Sequence, residues 1–276
     1  MFAQRLLTAA VLLCVFIGAM LLLPSWYWAA FLLPGLVIAS VEWARLAGYG
    51  PRATALFAAL TILSCLGFLD ASVMRGSVMP AAMNASPVPV YLAATLFWWF
   101  AVPVWLGTGW KTRHPLVLGA AGWLVLVPTL LALVELQARP AQLLLLLGVV
   151  WLADTAAYLA GRRLGRHRLA PTVSPGKTWE GVAGAGIAVA VYYGLAWASG
   201  LSQHAQWSPT GAWFIVLMVF VMSVEGDLFE SWIKRTAGVK DSGSLLPGHG
   251  GVLDRIDGLT ASLPVAALLA HVFRPL

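Results

Sequence analysis

The chain has 276 residues, of which 60% are hydrophobic and only 10% are charged, and its formal net charge is +6 at pH 7. Soluble domains carry roughly 25% charged residues, so this composition excludes a water-soluble globular protein. Its apolar runs approach the roughly 20 residues that a membrane-spanning helix needs, and they do not alternate as barrel strands do. We therefore predict an all-α fold, a polytopic integral membrane bundle of helices.

The apolar runs, taken in chain order, predict nine membrane-spanning helices. The first run follows Arg5 and lacks an A-x-A cleavage site, so we interpret it as a retained helix and not as a signal peptide. Prolines and glycines fall in the gaps between runs, and tryptophans crowd the run ends. The predicted spans are residues 6–23, 26–44, 53–69, 89–107, 115–134, 141–160, 181–199, 210–229 and 258–273.

The positions of lysine and arginine predict the orientation of the bundle. If the N-terminus lies inside the cell, 14 of the 17 basic residues fall on the cytoplasmic side of the nine spans. Cytoplasmic loops of membrane proteins carry such an excess. We predict a C-terminus outside and a bacterial inner (plasma) membrane, which suits a short polytopic chain. The arginine-rich stretch 162–168 lies between spans, which favours anionic membrane lipids over nucleic acid as its partner.

Acidic residues divide the chain into two regions. Eight of the 11 aspartates and glutamates fall after residue 150. We therefore interpret residues 1–140 as an N-terminal transmembrane region of about five spans. Residues 141–276 are the candidate catalytic transmembrane region, with its polar loops in the cytoplasm.

The segment 224–257 places acids, bases and glycines between two apolar helices. Ionisable residues beside hydrocarbon are costly and suggest a function. Spacings of i, i+3, i+4 and i+7 predict that four side chains share one helix face: Asp227, Glu230, Ser231 and Lys234.

Three carboxylates at two helix ends predict a site for Mg²⁺. Asp227 lies at the end of the eighth predicted span, while Asp254 and Asp257 lie at the entrance to the ninth. Hard oxygen ligands of this kind suit Mg²⁺. The alternative is that Asp254 and Asp257 only stabilise the N-terminus of their helix.

Basic residues in the same segment are candidate phosphate contacts. Lys234, Arg235 and Lys240 either bind phosphates or form a solvated face against lipid headgroups. The PGHGG turn, residues 247–251, has glycines that allow backbone amides to approach an anion closely. His249 either donates to a phosphate or holds this turn.

A second polar loop covers residues 161–180. Ser174 followed by Pro175 predicts a helix N-cap and a first-turn proline, with Lys177 in the first turn. A helix N-terminus with an added lysine is a candidate phosphate site, although it lacks the P-loop pattern. Asp154, an isolated acid in an apolar helix, either pairs with a base or reaches the site.

The stretch SWIKRTAGVKDSGSLLPGHGGVLDRID, residues 231–257, resembles the signature of the phosphatidate cytidylyltransferases, also called CDP-diacylglycerol synthases. SPGKTWEG, ADTAAYLAG and EGDLFES also resemble stretches of that family, and the similarity covers roughly residues 150–260. The family often has a basic residue where Gly176 stands. The signature positions are Ser231, Lys234, Arg235, Lys240, Asp241, His249, Asp254, Arg255 and Asp257.

The resemblance implies a membrane nucleotidyltransferase in phospholipid biosynthesis, which converts CTP and phosphatidic acid to CDP-diacylglycerol and pyrophosphate. It implies a paired-cation centre at Asp227 and Asp254, with Asp257 as a further metal ligand. The implied catalytic residues are Asp227, Lys234, Arg235, Lys240, Asp241, His249, Asp254 and Arg255. Mg²⁺ is the expected cofactor, with room for a second cation such as K⁺, and a homodimer is compatible with the family. The expected substrate contacts are Asp154, Ser174, Lys177 and Ser231.

Three alternatives to this function exist. A secondary transporter predicts charges near the bilayer midplane and a repeat between halves, and neither occurs in the sequence. A CDP-alcohol phosphotransferase predicts further aspartates after Asp257, and none follows. No sequence motif excludes the third alternative, a catalytically silent paralogue.

Overall fold

The computed structural model describes residues 2–73, 86–200, 207–243 and 250–273. Within these ranges the chain forms long helices and one short antiparallel hairpin of strands β1 (Arg168–Ala170) and β2 (Ser174–Thr178). The helices are α1 (Phe2–Leu22), α2 (Ser25–Leu46), α3 (Pro51–Val73), α4 (Val88–Leu96), α5 (Val102–Thr108), α6 (Pro115–Leu136), α7 (Pro140–Leu164), α8 (Trp179–Ala198), α9 (Pro209–Ala237) and α10 (Leu253–Val272).

The helical bundle confirms the predicted fold class. A π-helical turn, Phe97–Ala101, joins α4 and α5 into one rod, so the described residues form nine rods at the nine predicted positions. Seven of these rods are long and apolar enough to cross a membrane. The apolar stretch described in α1 is shorter, Ala10–Leu22. The last rod, α10, begins with charged residues at positions 254, 255 and 257.

The rods alternate in direction, which gives the described bundle two distinct ends. We define the polar end as the one where α2, α5, α7 and α9 finish and α3, α6, α8 and α10 begin. Trp105 in α5 and Trp232 in α9 both donate to the carbonyl oxygen of Trp110 at this end. At the opposite end, Glu135 contacts Tyr91 and His271. Among the described residues, Arg139 is the only lysine or arginine at that opposite end.

Small residues let α9 and α10 pack closely at the polar end. A side chain at Gly226 in α9 would collide with the backbone carbonyl of Asp257 in α10. A side chain at Gly258 in α10 would be in tight contact with Val150 in α7, at 3.0 Å, and with Ser223 in α9, at 3.4 Å. Close approach of backbones at glycine is a common packing mode of membrane helices. The two acidic helix ends are thereby held against each other.

Phe229 anchors α9 to the first half of the chain. Its ring is 1% exposed. It meets Phe97, Trp98 and Trp105 edge-to-face, with ring centroids 5.4–5.7 Å apart. Aromatic pairs of this geometry add roughly 0.5–1.5 kcal/mol each beyond their buried area. The N-terminal rods therefore position α9, and with α9 the polar residues that precede and follow Phe229.

Candidate functional site

One face of α9 carries the four polar side chains that the spacing predicts. Ser231 Oγ donates to Asp227 Oδ1 at 3.4 Å. Lys234 Nζ donates to Glu230 Oε2 at 3.2 Å. Both pairs are one helical turn apart, which is the separation at which helix side chains meet. Lys234 is only 8% exposed, so its ammonium group needs buried acceptors.

The second acceptor of Lys234 is Asp254, in the first turn of α10. The distance from Nζ to Oδ1 is 2.5 Å. The other oxygen, Oδ2, accepts from the backbone amides of Ser242 and Gly251 at 2.9 and 2.8 Å and from Ser242 Oγ at 3.0 Å. Asp254 therefore joins α9, the segment after α9 and the start of α10 in one network.

The other lysine of the site comes from β2. Lys177 Nζ forms an ion pair with Asp227 Oδ2, and both side chains are about one quarter exposed. This contact brings the 161–180 loop onto the face of α9. The site thus contains two lysine–aspartate pairs, Lys177–Asp227 and Lys234–Asp254. In each pair the two residues come from separate elements of the chain.

The predicted helix start at Ser174 is wrong. Ser174 pairs with Ala170 in the hairpin, and α8 begins only at Trp179. Thr178 is the actual N-cap, because its Oγ1 accepts from the backbone amide of Gly181 at 3.1 Å. Lys177 therefore lies before the helix and not in its first turn. A Ser-Pro pair fits an extended strand as well as a cap, so the local pattern could not distinguish them.

Glu180 fixes this loop to α8. Its carboxylate accepts from the backbone amides of Arg166 and His167, at 3.0 and 3.2 Å, and contacts His167 Nδ1 at 2.6 Å. An acid in the first turn of a helix also suits the helix dipole. The loop that presents Lys177 is therefore anchored at its base.

Further carboxylates surround the two ion pairs. Asp154 in α7 is close enough to Asp227, Asp257 and Lys177 for their charges to interact. The carboxyl groups of Glu230 and Asp257 lie within hydrogen-bonding reach, but two carboxylates can share such a bond only when one is protonated. When both are ionised, buried Glu230 Oε1 has no donor.

The predicted convergence of three aspartates on one ion is not preformed in the described part of the chain. There, no three His, Cys, Asp or Glu side chains are arranged to enclose a metal. Asp227 and Asp254 each face a lysine instead, because an ammonium group is the nearest available counter-charge. The donor chemistry nevertheless fits a hard cation: Asp154, Asp227, Glu230 and Asp257 supply oxygens, and Glu230 Oε1 is left without a partner.

The sequence interpretation missed Glu42, which lies in α2 and is 3% exposed. Its carboxylate accepts from the backbone amides of Val252 and Leu253, at 3.0 and 2.9 Å. Its Oε2 also lies 3.0 Å from Ser242 Oγ, whose one proton it shares with Asp254 Oδ2. It thus caps α10 from a distant helix, since Val252 provides no side-chain cap. The available signal was a lone acid within the predicted span 26–44, which is a functional indication by default.

Several other predicted site residues are exposed, in contrast to Lys234. Arg235, Lys240, Asp241 and Arg255 are exposed around the ends of α9 and α10. Arg235 Nη1 donates to the carbonyl oxygen of Val239 at 3.1 Å. His249 lies outside the described residues. Gly250, the next residue, has a backbone φ of +80° and faces the Asp254 carboxylate.

Comparison with known proteins identifies relatives over the whole chain. The model of the cytidylyltransferase family matches residues 3–273. A phosphatidate cytidylyltransferase of Pseudomonas aeruginosa is 39% identical over 273 residues, which cover 98% of this chain and 97% of that protein. A phosphatidate cytidylyltransferase of Haemophilus influenzae is 32% identical over 280 residues, with 96% of each chain covered. One from Brucella suis is 50% identical over 128 residues, 46% of each chain.

Proposed function

The chain belongs to the cytidylyltransferase family, and from this membership we propose that it transfers CMP from CTP to phosphatidic acid. The products are CDP-diacylglycerol, an intermediate of phospholipid biosynthesis, and pyrophosphate. The observation that supports this function is the pair of Lys–Asp contacts, Lys177–Asp227 and Lys234–Asp254, at the polar end of a membrane bundle. Two lysine ammonium groups beside acids suit a reaction between anionic phosphates.

The reaction needs positioning and charge neutralisation more than a strong base. A phosphate oxygen of the lipid attacks the α-phosphorus of CTP, and a new P–O bond forms. The bond from the α-phosphorus to the bridging oxygen breaks, and its electron pair leaves with pyrophosphate. Phosphoryl transfers of this kind are accelerated mainly by alignment and electrostatic stabilisation.

Lys177 and Lys234 are the residues that we assign to the phosphates. Both reach the site from anchored backbone, Lys177 from the loop that Glu180 fixes and Lys234 from the α9 face. Their aspartate partners hold the ammonium groups in the site before substrate arrives. We assign supporting contacts with the phosphates to Ser231, Arg235 and Lys240. Ser174 stays a predicted substrate contact, and Asp241, His249 and Arg255 stay predicted catalytic residues.

Mg²⁺ is the cofactor that the acidic residues support. Asp227 and Asp257, with Asp154 and Glu230 beside them, would hold the ion, and Asp254 would join if Lys234 moved toward a phosphate. When bound, the ion neutralises charge that develops on the phosphate oxygens. A second cation such as K⁺ would balance the negative charge that remains on these carboxylates.

We place the polar end in the cytoplasm, where CTP is available, with the acyl chains of the lipid beside the bundle. The excess of basic residues at this end supports this orientation in a bacterial plasma membrane. A homodimer is compatible with the proposal. The transporter alternative is less well supported, since the described basic residues gather at one end of the bundle.

The proposal is tested by assaying purified protein in detergent with radiolabelled CTP and phosphatidic acid. Unsubstituted protein should form CDP-lipid only when Mg²⁺ is present. Asp254→Asn removes the charge that holds Lys234 and should lower the rate at least about a hundredfold. Arg52→Gln, an exposed change at the same end of the bundle, is the control and should retain the rate.

Two results would contradict the proposal. If Asp254→Asn retained the parent rate, the assigned role of the Lys234–Asp254 pair would be wrong. If folded parent protein formed no CDP-lipid from any lipid phosphate, the silent-paralogue alternative would replace the proposed activity.

A further inference from the structure

A cavity of about 100 Å³ lies at the polar end, between the end of α2, the α5–α6 connection and the last turn of α9. Its polar side chains are cationic or neutral: Arg45 from α2, Thr112 and Arg113 from the connection, and Thr236 from α9. No acid is among its lining residues. Leucine, isoleucine and alanine side chains form the rest of the wall.

This cavity is separate from the Lys–Asp cluster, although α9 contributes to both. Lys234 faces Asp254. Thr236 comes two residues later, which corresponds to roughly 200° of rotation around a helix. Arg113 Nη2 donates to the carbonyl oxygen of Thr236 at 3.3 Å, so the α5–α6 connection is fixed against this other face of α9.

Two features of the cavity indicate an anionic ligand. Thr236 Oγ1 is buried and has no hydrogen-bond partner, which is uncommon for a buried hydroxyl. The guanidinium groups of Arg45 and Arg113 are exposed, and neither forms a salt bridge with a described carboxylate. A ligand with oxygen acceptors in this cavity would meet both guanidinium groups, and the unpartnered Thr236 hydroxyl lies in the same wall.

We propose that this cavity binds a phosphate group. A water molecule occupies about 30 Å³ in the liquid, so the cavity has room for roughly three waters, which is the size range of one phosphate group. Arginine binds phosphate with two parallel hydrogen bonds, and Thr236 adds a neutral donor. The phosphate comes from an anionic lipid headgroup or from a soluble phosphate, and basic pockets between membrane helices are typical headgroup sites. This site does not depend on the proposed catalytic function.

The test uses the full-length protein in a neutral detergent and measures its unfolding midpoint temperature. One series adds inorganic phosphate, and a second adds short-chain phosphatidylglycerol, with short-chain phosphatidylcholine as the zwitterionic lipid control. The cavity variant is Arg45→Gln with Arg113→Gln. Its matched control is Arg52→Gln with Arg163→Gln, which removes two exposed charges from the same end. Lys177→Gln reports binding at the Lys–Asp cluster.

We expect at least one anionic probe to raise the midpoint of the parent, the matched control and Lys177→Gln at the same concentration. The cavity variant should need about tenfold more of that probe or higher, and Thr236→Val, which keeps the shape, should show a smaller loss. A response to inorganic phosphate identifies a soluble phosphate as sufficient, while a response to phosphatidylglycerol alone identifies a headgroup site. The proposal is overturned if neither probe shifts the midpoint, if the cavity variant responds like the parent, or if Lys177→Gln abolishes the response.

Discussion

At the residue scale, Glu42 is the carboxylate whose position separates support of the site from chemistry within it. It contacts no lysine or arginine in the described residues, and its three hydrogen bonds all go to the segments that flank Asp254. The Ser242 hydroxyl that contacts Glu42 also contacts the Asp254 carboxylate. Glu42 is therefore a positioning residue, and its loss should act on the site through α10.

Glu42→Gln should lower both stability and activity. An amide has one acceptor oxygen, so at least one of the two capped backbone amides loses its partner, at a cost of about 1–3 kcal/mol. We expect a lower unfolding midpoint and a rate of CDP-lipid synthesis per folded molecule reduced about tenfold or more. Glu42→Asp, which keeps the charge, should recover part of the rate.

Glu135→Gln is the matched control for this prediction. Glu135 is a partly buried acid at the opposite end, where it contacts Tyr91 and His271. Its loss should lower the midpoint without changing the rate per folded molecule. Equal loss of rate in the two variants would mean that Glu42 acts only through global stability.

At the scale of elements, the α9–α10 contact is the one that sets the spacing of the acidic groups. Gly226→Ala should therefore be destabilising, because the new methyl group meets the rigid backbone carbonyl of Asp257. Overpacking of this kind typically costs about 1–3 kcal/mol. We also expect reduced CDP-lipid synthesis, since the helices must separate where Asp227 and Asp257 lie near each other. Thermal unfolding and the radiolabelled assay measure the two effects.

Gly194→Ala provides the control for helix propensity. Gly194 lies inside α8, and a methyl group there has open space around it. Alanine is favoured over glycine inside a helix by about 0.5–1 kcal/mol, so this variant should be as stable as the parent or slightly more stable. A Gly226→Ala variant that behaved like Gly194→Ala would show that α9 and α10 can separate without cost.

The helices and the hairpin show which parts of the fold and of the site can be predicted from the sequence. Apolar run length predicts the rods because the membrane fixes the length of a span. The spacing of Asp227 and Lys234 predicts their shared face because the helix has a fixed period. The hairpin at Ser174 and the partners of Lys177 could not be predicted in this way. They depend on which segments meet in three dimensions, and Glu42 lies more than 200 residues before the amides it caps.

At the scale of the whole molecule, the unequal charge of the two ends makes the orientation testable. Described basic residues gather at the polar end, and Arg139 marks the other end. Anionic lipids and the insertion process favour basic segments on the cytoplasmic side. The reaction gives the same orientation by an independent route, because CTP is a cytoplasmic solute.

Single-cysteine labelling in intact cells checks this orientation. In a background with Cys14→Ser and Cys65→Ser, Ala138→Cys places a thiol at an exposed position between α6 and α7, at the end opposite the polar end. Arg52→Cys places one at an exposed position in the first turn of α3, at the polar end. A membrane-impermeant maleimide should label Ala138→Cys in intact cells and Arg52→Cys only after the membrane is opened. Labelling in the reverse order would put the Lys–Asp cluster outside, away from CTP, and the positive charge at this end would then need another explanation.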